Sequence, residues 1–265
     1  MRAALLLCLV LGPVLAAAPV RGADYVDVAG GTFASVIAND ASGGQTPVAD
    51  FSLRTTPVTQ GEFLAFVTTH PGWRRDRVSA LLADPTYLAG WPAPDAIAPE
   101  HGRLPVTQVS WFAAQAFCEA EDARLPTWSE WEYAAAADAL RRDARADPAW
   151  RASILAWYAQ PASAAPAPVG GPPNAWGVRD LHGLVWEWVD DFNALLVDAD
   201  SRSGNDPDKL KFCGAGAINL QQREIYAVLM RVALLSSLKA SDNTGSLGFR
   251  CARPLSRTTL NQEQP

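Results

Sequence analysis

Residues 174–188 read NAWGVRDLHGLVWEW and hold three of the ten tryptophans of the chain. Within this stretch Glu187 stands between Trp186 and Trp188. An ionised carboxylate among large apolar side chains needs a positively charged partner or a bound cation. Arg179 and Arg250 are the two arginines that could pair with it. Both an ion pair and a cation site are therefore open for this stretch, and its tryptophans are expected to pack in the core.

Four further blocks accompany this stretch in a fixed order. They read PVTQGEF at 57–63, PVTQVSW at 105–111, RLPTWSEWEYA at 124–134 and LGFRC at 247–251. Together the five blocks resemble the formylglycine-generating enzyme (sulfatase-modifying factor) family over about residues 24–254. The resemblance implies a single α+β domain with a variant of the C-type lectin fold, low in regular secondary structure. The Pro/Ala/Gly-rich residues 159–175 would then be an internal loop rather than a linker between domains.

Local patterns predict several elements of such a fold. Alternation and β-branched residues favour strands between Asp24 and Ala41 and at Phe51–Arg54. Helical spacing and capping residues predict helices at Gln60–Thr68, at Trp111–Glu121 with Ser110 as N-cap, and from the Thr127–Glu130 capping box to about Leu140. Further strands are expected near Lys211–Phe212 and at Leu247–Ala252, while 219–239 is ambiguous.

The composition excludes some classes of protein. Apolar residues make up 49% of the chain, which is enough for a core and excludes a disordered chain. The net charge of -6 argues against a nucleic-acid-binding protein, which needs a basic face. Three scattered histidines (His70, His101, His182) cannot form a His-rich metal site.

The N-terminus has the pattern of a secretory signal. Residues 1–22 combine one early arginine, a short apolar run and a small-residue region, which predicts a signal peptide followed by one domain over residues 23–265. The apolar run is too short to span a bilayer, and no later stretch is predicted to cross one. We therefore expect a periplasmic or secreted monomer. Its three remaining cysteines (Cys118, Cys213, Cys251) are most simply one disulfide and one thiol in an oxidising compartment.

The resemblance to the family implies two structural features. Cys118 and Cys251 match positions that form a disulfide. The side chains of Asp180 and Glu187 and the carbonyls of Gly183 and Val185 match the ligands of a calcium ion, a hard cation that oxygen donors suit. The family's second calcium site is expected to be absent, because residues 159–173 contain no acidic side chain.

The chain departs from the family at its catalytic centre. The family uses two cysteines, five residues apart, which bind copper(I) and activate oxygen. Counting back from Cys251 without gaps places Gln222 and Ala227 opposite them, and aligning from Gly214 places Ile218 opposite the first. Copper and formylglycine generation are therefore not expected. Cys213 and Glu224 are the remaining candidates for a catalytic group, although a lone cysteine is more often a buried small hydrophobe.

Two functions fit these observations, and whether the chain is an enzyme stays open. The first is an accessory or maturation factor that binds an exported protein partner or peptide-like substrate. Relatives without the cysteine pair accompany copper nitrite reductases, and residues 236–250 resemble the corresponding stretch of those relatives. The second is a periplasmic oxidative tailoring enzyme, as in siderophore maturation, with a carboxylate such as Glu224 in place of the cysteines.

Overall fold

The computed structural model describes residues 24–35, 37, 45–158, 167–195 and 226–255. The predicted signal peptide, the predicted strand near Lys211–Phe212, Cys213 and Glu224 lie outside these residues.

The described part is a mixture of short strands and helices, which agrees with the predicted α+β class. Its strands are β1 (Tyr25–Val28), β2 (Gly31–Ala34), β3 (Gln45–Val48), β4 (Phe51–Arg54), β5 (Trp186–Glu187), β6 (Leu247–Gly248) and β7 (Ala252–Pro254). Its α-helices are α1 (Gln60–Thr69), α2 (Trp111–Ala120), α3 (Trp128–Ala135), α4 (Pro148–Tyr158) and α5 (Tyr226–Ser236). None of these helices has the length and apolar character needed to cross a membrane.

An antiparallel three-stranded sheet joins the two ends of the described chain. Its strand order is β1-β4-β7, and β4 lies in the centre with all four residues buried. Leu53 pairs with Val26 on one side and with Ala252 on the other. The strands β2 and β3 form a separate antiparallel pair. The C-terminal strand is thus held next to β4, which brings the last sequence block into the core.

The helices begin where their capping residues predict. The side chain of Ser110 accepts a hydrogen bond from the amide of Ala113, and Thr127 and Glu130 form the predicted capping box. The end predicted for α3 was wrong, because the helix stops at Ala135 instead of continuing to about Leu140. The Asp138 carboxylate accepts hydrogen bonds from the amides of Leu140 and Arg141, and this local turn competes with the helix.

Helix α4 was not expected from the sequence. The Asp147 carboxylate accepts a hydrogen bond from the amide of Ala149, and Pro148 occupies the first helical position. An acidic cap followed by proline is a helix start, and Trp150, Ile154 and Trp157 have the spacing of one helical face. The sequence therefore contained the pattern that predicts helix α4.

The expected C-terminal strand is divided in two. Strand β6 pairs in parallel with β5, whereas β7 pairs with β4. Between them Phe249, Arg250 and Cys251 are fully buried. A regular strand would turn alternate side chains to opposite faces, so three consecutive buried side chains require the chain to change partners here.

An aromatic cluster lies at the centre of the core. The rings of Phe63 from α1, Phe117 from α2 and Phe249 lie with their centroids 5.4–6.1 Å apart. Beside them the sulfurs of Cys118 and Cys251 are 2.01 Å apart. Trp128, Trp131 and Trp188 are each at most 3% exposed, whereas Trp186, which was also expected in the core, is only partly buried.

Candidate functional site

A buried polar centre surrounds Glu187. Two main-chain hydrogen bonds place this residue: the amide of Trp186 donates to Ser246 and the amide of Trp188 donates to Gly248. Strand β5 therefore has one fixed register on β6, and the carboxylate of Glu187 is completely buried. A buried carboxylate is tolerated only where it is paired and hydrogen-bonded.

Arg250 is the partner that satisfies this carboxylate. Its Nε lies 2.9 Å from one oxygen of Glu187 and its Nη2 lies 2.8 Å from the other, which is a bidentate ion pair with both side chains fully buried. The remaining donors of Arg250 reach the carbonyls of Arg54, Thr55 and Arg179. Trp131 completes the environment by donating its indole N–H to Glu187 over 2.8 Å.

These contacts bear on the calcium ion that the resemblance implies. The two oxygens of Glu187 face the Arg250 guanidinium, whose positive charge repels a second cation at the same place. The oxygens of Asp180 accept hydrogen bonds from the amides of Gly170 and Gly171, at 2.7 and 2.9 Å. Glu187 thus fits an ion-pair acceptor better than a calcium ligand. Arg179, the other arginine considered, donates to the carbonyl of Gly171 instead.

The described residues contain no cluster of three or more His, Cys, Asp or Glu side chains that could hold a metal ion. Two of the implied calcium ligands, at Gly183 and Val185, are backbone carbonyls rather than side chains. Calcium at this turn therefore stays a prediction, and chelation of the folded protein is its test.

A second guanidinium enters the same centre from helix α5. Arg231 is 1% exposed, and its Nη2 donates to the main-chain carbonyl of Glu187 over 2.6 Å. Its guanidinium carbon lies 3.5 Å from the centroid of a Trp131 ring, which is a close cation–π contact. Helix α5 is thereby joined to strand β5, which carries Glu187. A single arginine in the otherwise apolar segment 226–235 was the sequence signal for a buried partner.

His182 lies at the edge of this centre. Its Nε2 is 2.9 Å from the carbonyl of Ala135 and donates to it, so Nδ1 is the unprotonated nitrogen of the neutral ring. The rings of Trp131 and Trp150 contact it edge-on at 5.7 and 5.8 Å. Burial lowers the pKa of His182 from 6.5 to about 4, and the positive charge of Arg231 adds to this effect.

The protein is expected to lose stability in mild acid because of His182. Since the pKa of this group is lower in the folded than in the unfolded state, the unfolded chain takes up the proton first. The free energy of unfolding should fall by about 1–3 kcal/mol between pH 6.5 and 4 and level off below. His182→Gln retains an N–H donor for Ala135 and cannot titrate in this range. Urea unfolding at a series of pH values should show a shallower pH dependence for this variant, and an unchanged slope would contradict the assignment.

The predicted site residues divide into three groups. Cys118 and Cys251 are brought together in the core, as the resemblance implies, with their Cα atoms 5.5 Å apart. Asp180 and Glu187 lie in the same turn region but are engaged by other donors. Cys213 and Glu224 lie outside the described residues.

The sequence is similar to one known protein family and to several individual proteins. The family described as the sulfatase-modifying factor enzyme 1-like domain matches residues 13–255. The formylglycine-generating enzyme of Streptomyces coelicolor is 34% identical over 176 residues, which are 58% of this chain and 54% of that protein. The hercynine oxygenase of Mycolicibacterium smegmatis is 30% identical over 164 residues, which are 54% of this chain and 37% of that protein.

The chain spans about half the length of the formylglycine-generating enzymes it matches and less of the hercynine oxygenase. Among solved structures, PvdO from Pseudomonas aeruginosa aligns with 87% of this chain and 94% of its own, at 19% identity and a TM-score of 0.46. CarF aligns with 88% of this chain and 99% of its own, at 17% identity and a TM-score of 0.45. Since the family domain covers most of the sequence, the chain belongs to the sulfatase-modifying factor family, the superfamily of the formylglycine-generating enzymes.

Proposed function

We propose that this chain is an exported accessory or maturation factor that binds a periplasmic protein, of the nitrite-reductase-type copper enzymes, and does not generate formylglycine. The family fold supplies the scaffold, and the partner rather than a small molecule is its target. Calcium at the turn of Asp180 and Glu187 belongs to this proposal only as a structural ion, and the ion pair of Glu187 weighs against it.

The observation that supports the proposal is the number of cysteines. Beyond residue 22 the sequence contains three cysteines, and the sulfurs of two of them, Cys118 and Cys251, lie at bonding distance in the core. One thiol, that of Cys213, is left. The family's copper(I) chemistry needs two thiolates that act together, because soft thiolate ligands select this metal. A single chain with one remaining thiol cannot supply them.

The buried centre supports a role as a rigid binding scaffold. Arg250 engages both oxygens of Glu187 and three main-chain carbonyls, so its donors are committed to holding segments together. The same centre joins β4, β5 and the segment that follows β6. Such a network fixes the fold but leaves the carboxylate no freedom to act as a base. A fixed scaffold of this kind is suited to binding through its surface.

Capture of the partner tests the proposal. The full chain with a C-terminal tag is expressed in its source organism, the exported fraction is cross-linked, and the retained protein is identified and assayed for copper. We expect one copper enzyme in near-equal amount, displaced by an excess of the untagged chain. Retention of no protein, or of proteins that the untagged chain does not displace, would contradict the proposal.

One observation favours the alternative, an oxidative tailoring enzyme. A relative that is 30% identical over 164 residues is named as an oxygenase of hercynine. In this alternative Glu224 replaces the cysteine pair as the catalytic group. Oxygen uptake that depends on Glu224 would distinguish it from the accessory role.

A further inference from the structure

The loop between helices α3 and α4, residues 136–147, carries an arginine without a counter-ion. The loop contains three arginines and three aspartates. Arg141 and Arg145 form ion pairs with these aspartates, and all three carboxylates are used in this way. Arg142 is exposed, and its guanidinium makes no hydrogen bond or ion pair with the residues that the structure describes. One positive charge of the loop is therefore left for a group outside it.

The Arg142 guanidinium is held in place although it is exposed. Its carbon lies 4.3 Å from the centroid of a Trp176 ring, which is a cation–π contact. Trp176 is itself only 8% exposed and forms a fixed platform. Stacking uses the face of the guanidinium and leaves the N–H groups at its edge for a planar acceptor such as a carboxylate. Because the side chain is already ordered, binding such a group costs little conformational entropy.

The backbone around Arg142 is fixed as well. The amide of Ala144 donates to the carbonyl of Ala136, and the amide of Ala175, next to the tryptophan platform, donates to the carbonyl of Asp138, both over 2.7 Å. Between these points Leu140 is 90% exposed. A single exposed leucine is ordinary, but this one stands two residues from an ordered arginine without a counter-ion. Arginine is also among the residues that contribute most to protein interfaces.

We propose that Leu140 and Arg142 are the contact through which the chain binds its protein partner, which supplies a carboxylate to Arg142 and apolar side chains around Leu140. The inference rests on the proposed accessory function and locates its binding surface. A protein fits this surface better than an anionic membrane. The three arginines and three aspartates of the loop cancel in charge, whereas membrane surfaces attract clusters of basic residues.

Two variants and two matched controls test the surface. Arg142→Glu reverses the charge, and Leu140→Ser removes the apolar contact. Arg77→Glu and Leu81→Ser make the same changes elsewhere, at an exposed arginine that stacks on no ring of the described residues and at a leucine that is 84% exposed. Near-UV circular dichroism and the melting temperature verify that each variant is folded.

Photo-cross-linking locates the contact in the source organism. A benzophenone amino acid replaces Leu140 or Leu81 in the tagged full chain, and the exported fraction is irradiated. We expect one protein to be attached at position 140, to be lost when Arg142→Glu is added, and to be absent at position 81. The proposal would be overturned by equal labelling from both positions, by labelling that Arg142→Glu leaves unchanged, or by no labelling.

Binding to a purified nitrite-reductase-type copper enzyme from the same organism separates this inference from the proposed function. We expect at least about tenfold weaker binding for Arg142→Glu and Leu140→Ser, and binding within about twofold of the wild type for both controls. Binding that neither loop variant changes would overturn the inference and leave the proposed function standing.

Two further outcomes distinguish the nature of the partner. If the wild type does not bind the copper enzyme but position 140 still attaches another protein in a manner that depends on Arg142, the proposed partner is wrong and the binding surface is supported. Sedimentation of the chain with phosphatidylglycerol vesicles, lost in Arg142→Glu, would show a lipid contact and overturn the inference.

Discussion

Replacing Glu187 by alanine is expected to lower the free energy of unfolding by about 3–5 kcal/mol. The change leaves the Arg250 guanidinium buried without its anion and the Trp131 N–H without its acceptor. Breaking a buried pair by removing one partner is far more costly than the pair is stabilising, because the remaining charge is uncompensated. Urea unfolding near pH 7 measures the loss.

Two comparisons separate the ion pair from calcium. Glu187→Gln keeps the shape and an acceptor oxygen but not the charge, so its loss should be smaller than that of alanine. The ion pair needs no metal, so EDTA should not change the difference in stability between the wild type and Glu187→Ala, whereas calcium bound through Glu187 would make that difference depend on EDTA. A cost below about 1 kcal/mol for Glu187→Ala would contradict the ion-pair account.

Removing the bridge between Cys118 and Cys251 is the second change with a large expected effect. The two cysteines are 133 residues apart, and in the chain-entropy model closing a loop of this length contributes about 5 kcal/mol. The double variant Cys118→Ala, Cys251→Ala should lose stability on this scale in urea unfolding. A fully reduced wild type should lose a similar amount.

Cys213→Ala is the matched control for the double variant. Cys213 is the one cysteine beyond residue 22 that is not part of the bridge between Cys118 and Cys251. It should retain the stability of the wild type. Thiol counting of the denatured, unreduced protein should find one reactive thiol beyond residue 22. Three reactive thiols, or a double variant as stable as the wild type, would contradict the disulfide.

The sequence was most informative where short-range physics determines the structure. Ser110 and the pair Thr127 and Glu130 predicted the starts of two helices, because a capping side chain satisfies amides only three residues away. The end of α3 was missed because Asp138 forms a turn whose strength the helical pattern does not reveal. Helix α4 was missed although Asp147 carried the signal of a helix start.

Contacts between residues that are far apart along the chain were harder to predict from the sequence. The sequence showed that Glu187 needed a partner and offered Arg179 and Arg250, but nothing local distinguishes them. The parallel register of β5 and β6 pairs Glu187 with Gly248. Arg250, two residues beyond Gly248, is thereby close enough to bind the Glu187 carboxylate, 63 residues away along the chain. The place of Arg231 likewise depends on distant partners, the Trp131 ring and the Glu187 carbonyl, whereas the composition of the helix indicates only a buried charge.

The central claim is that the chain acts by binding and not by oxygen chemistry, and oxygen consumption tests this most directly. The purified full chain is supplied with copper(I), a thiol reductant and a cysteine-containing peptide, and oxygen uptake is followed beside Glu224→Ala. The account predicts uptake equal to that of the mixture without protein, for both forms of the chain. Uptake above that background by the wild type, abolished in Glu224→Ala, would contradict the account.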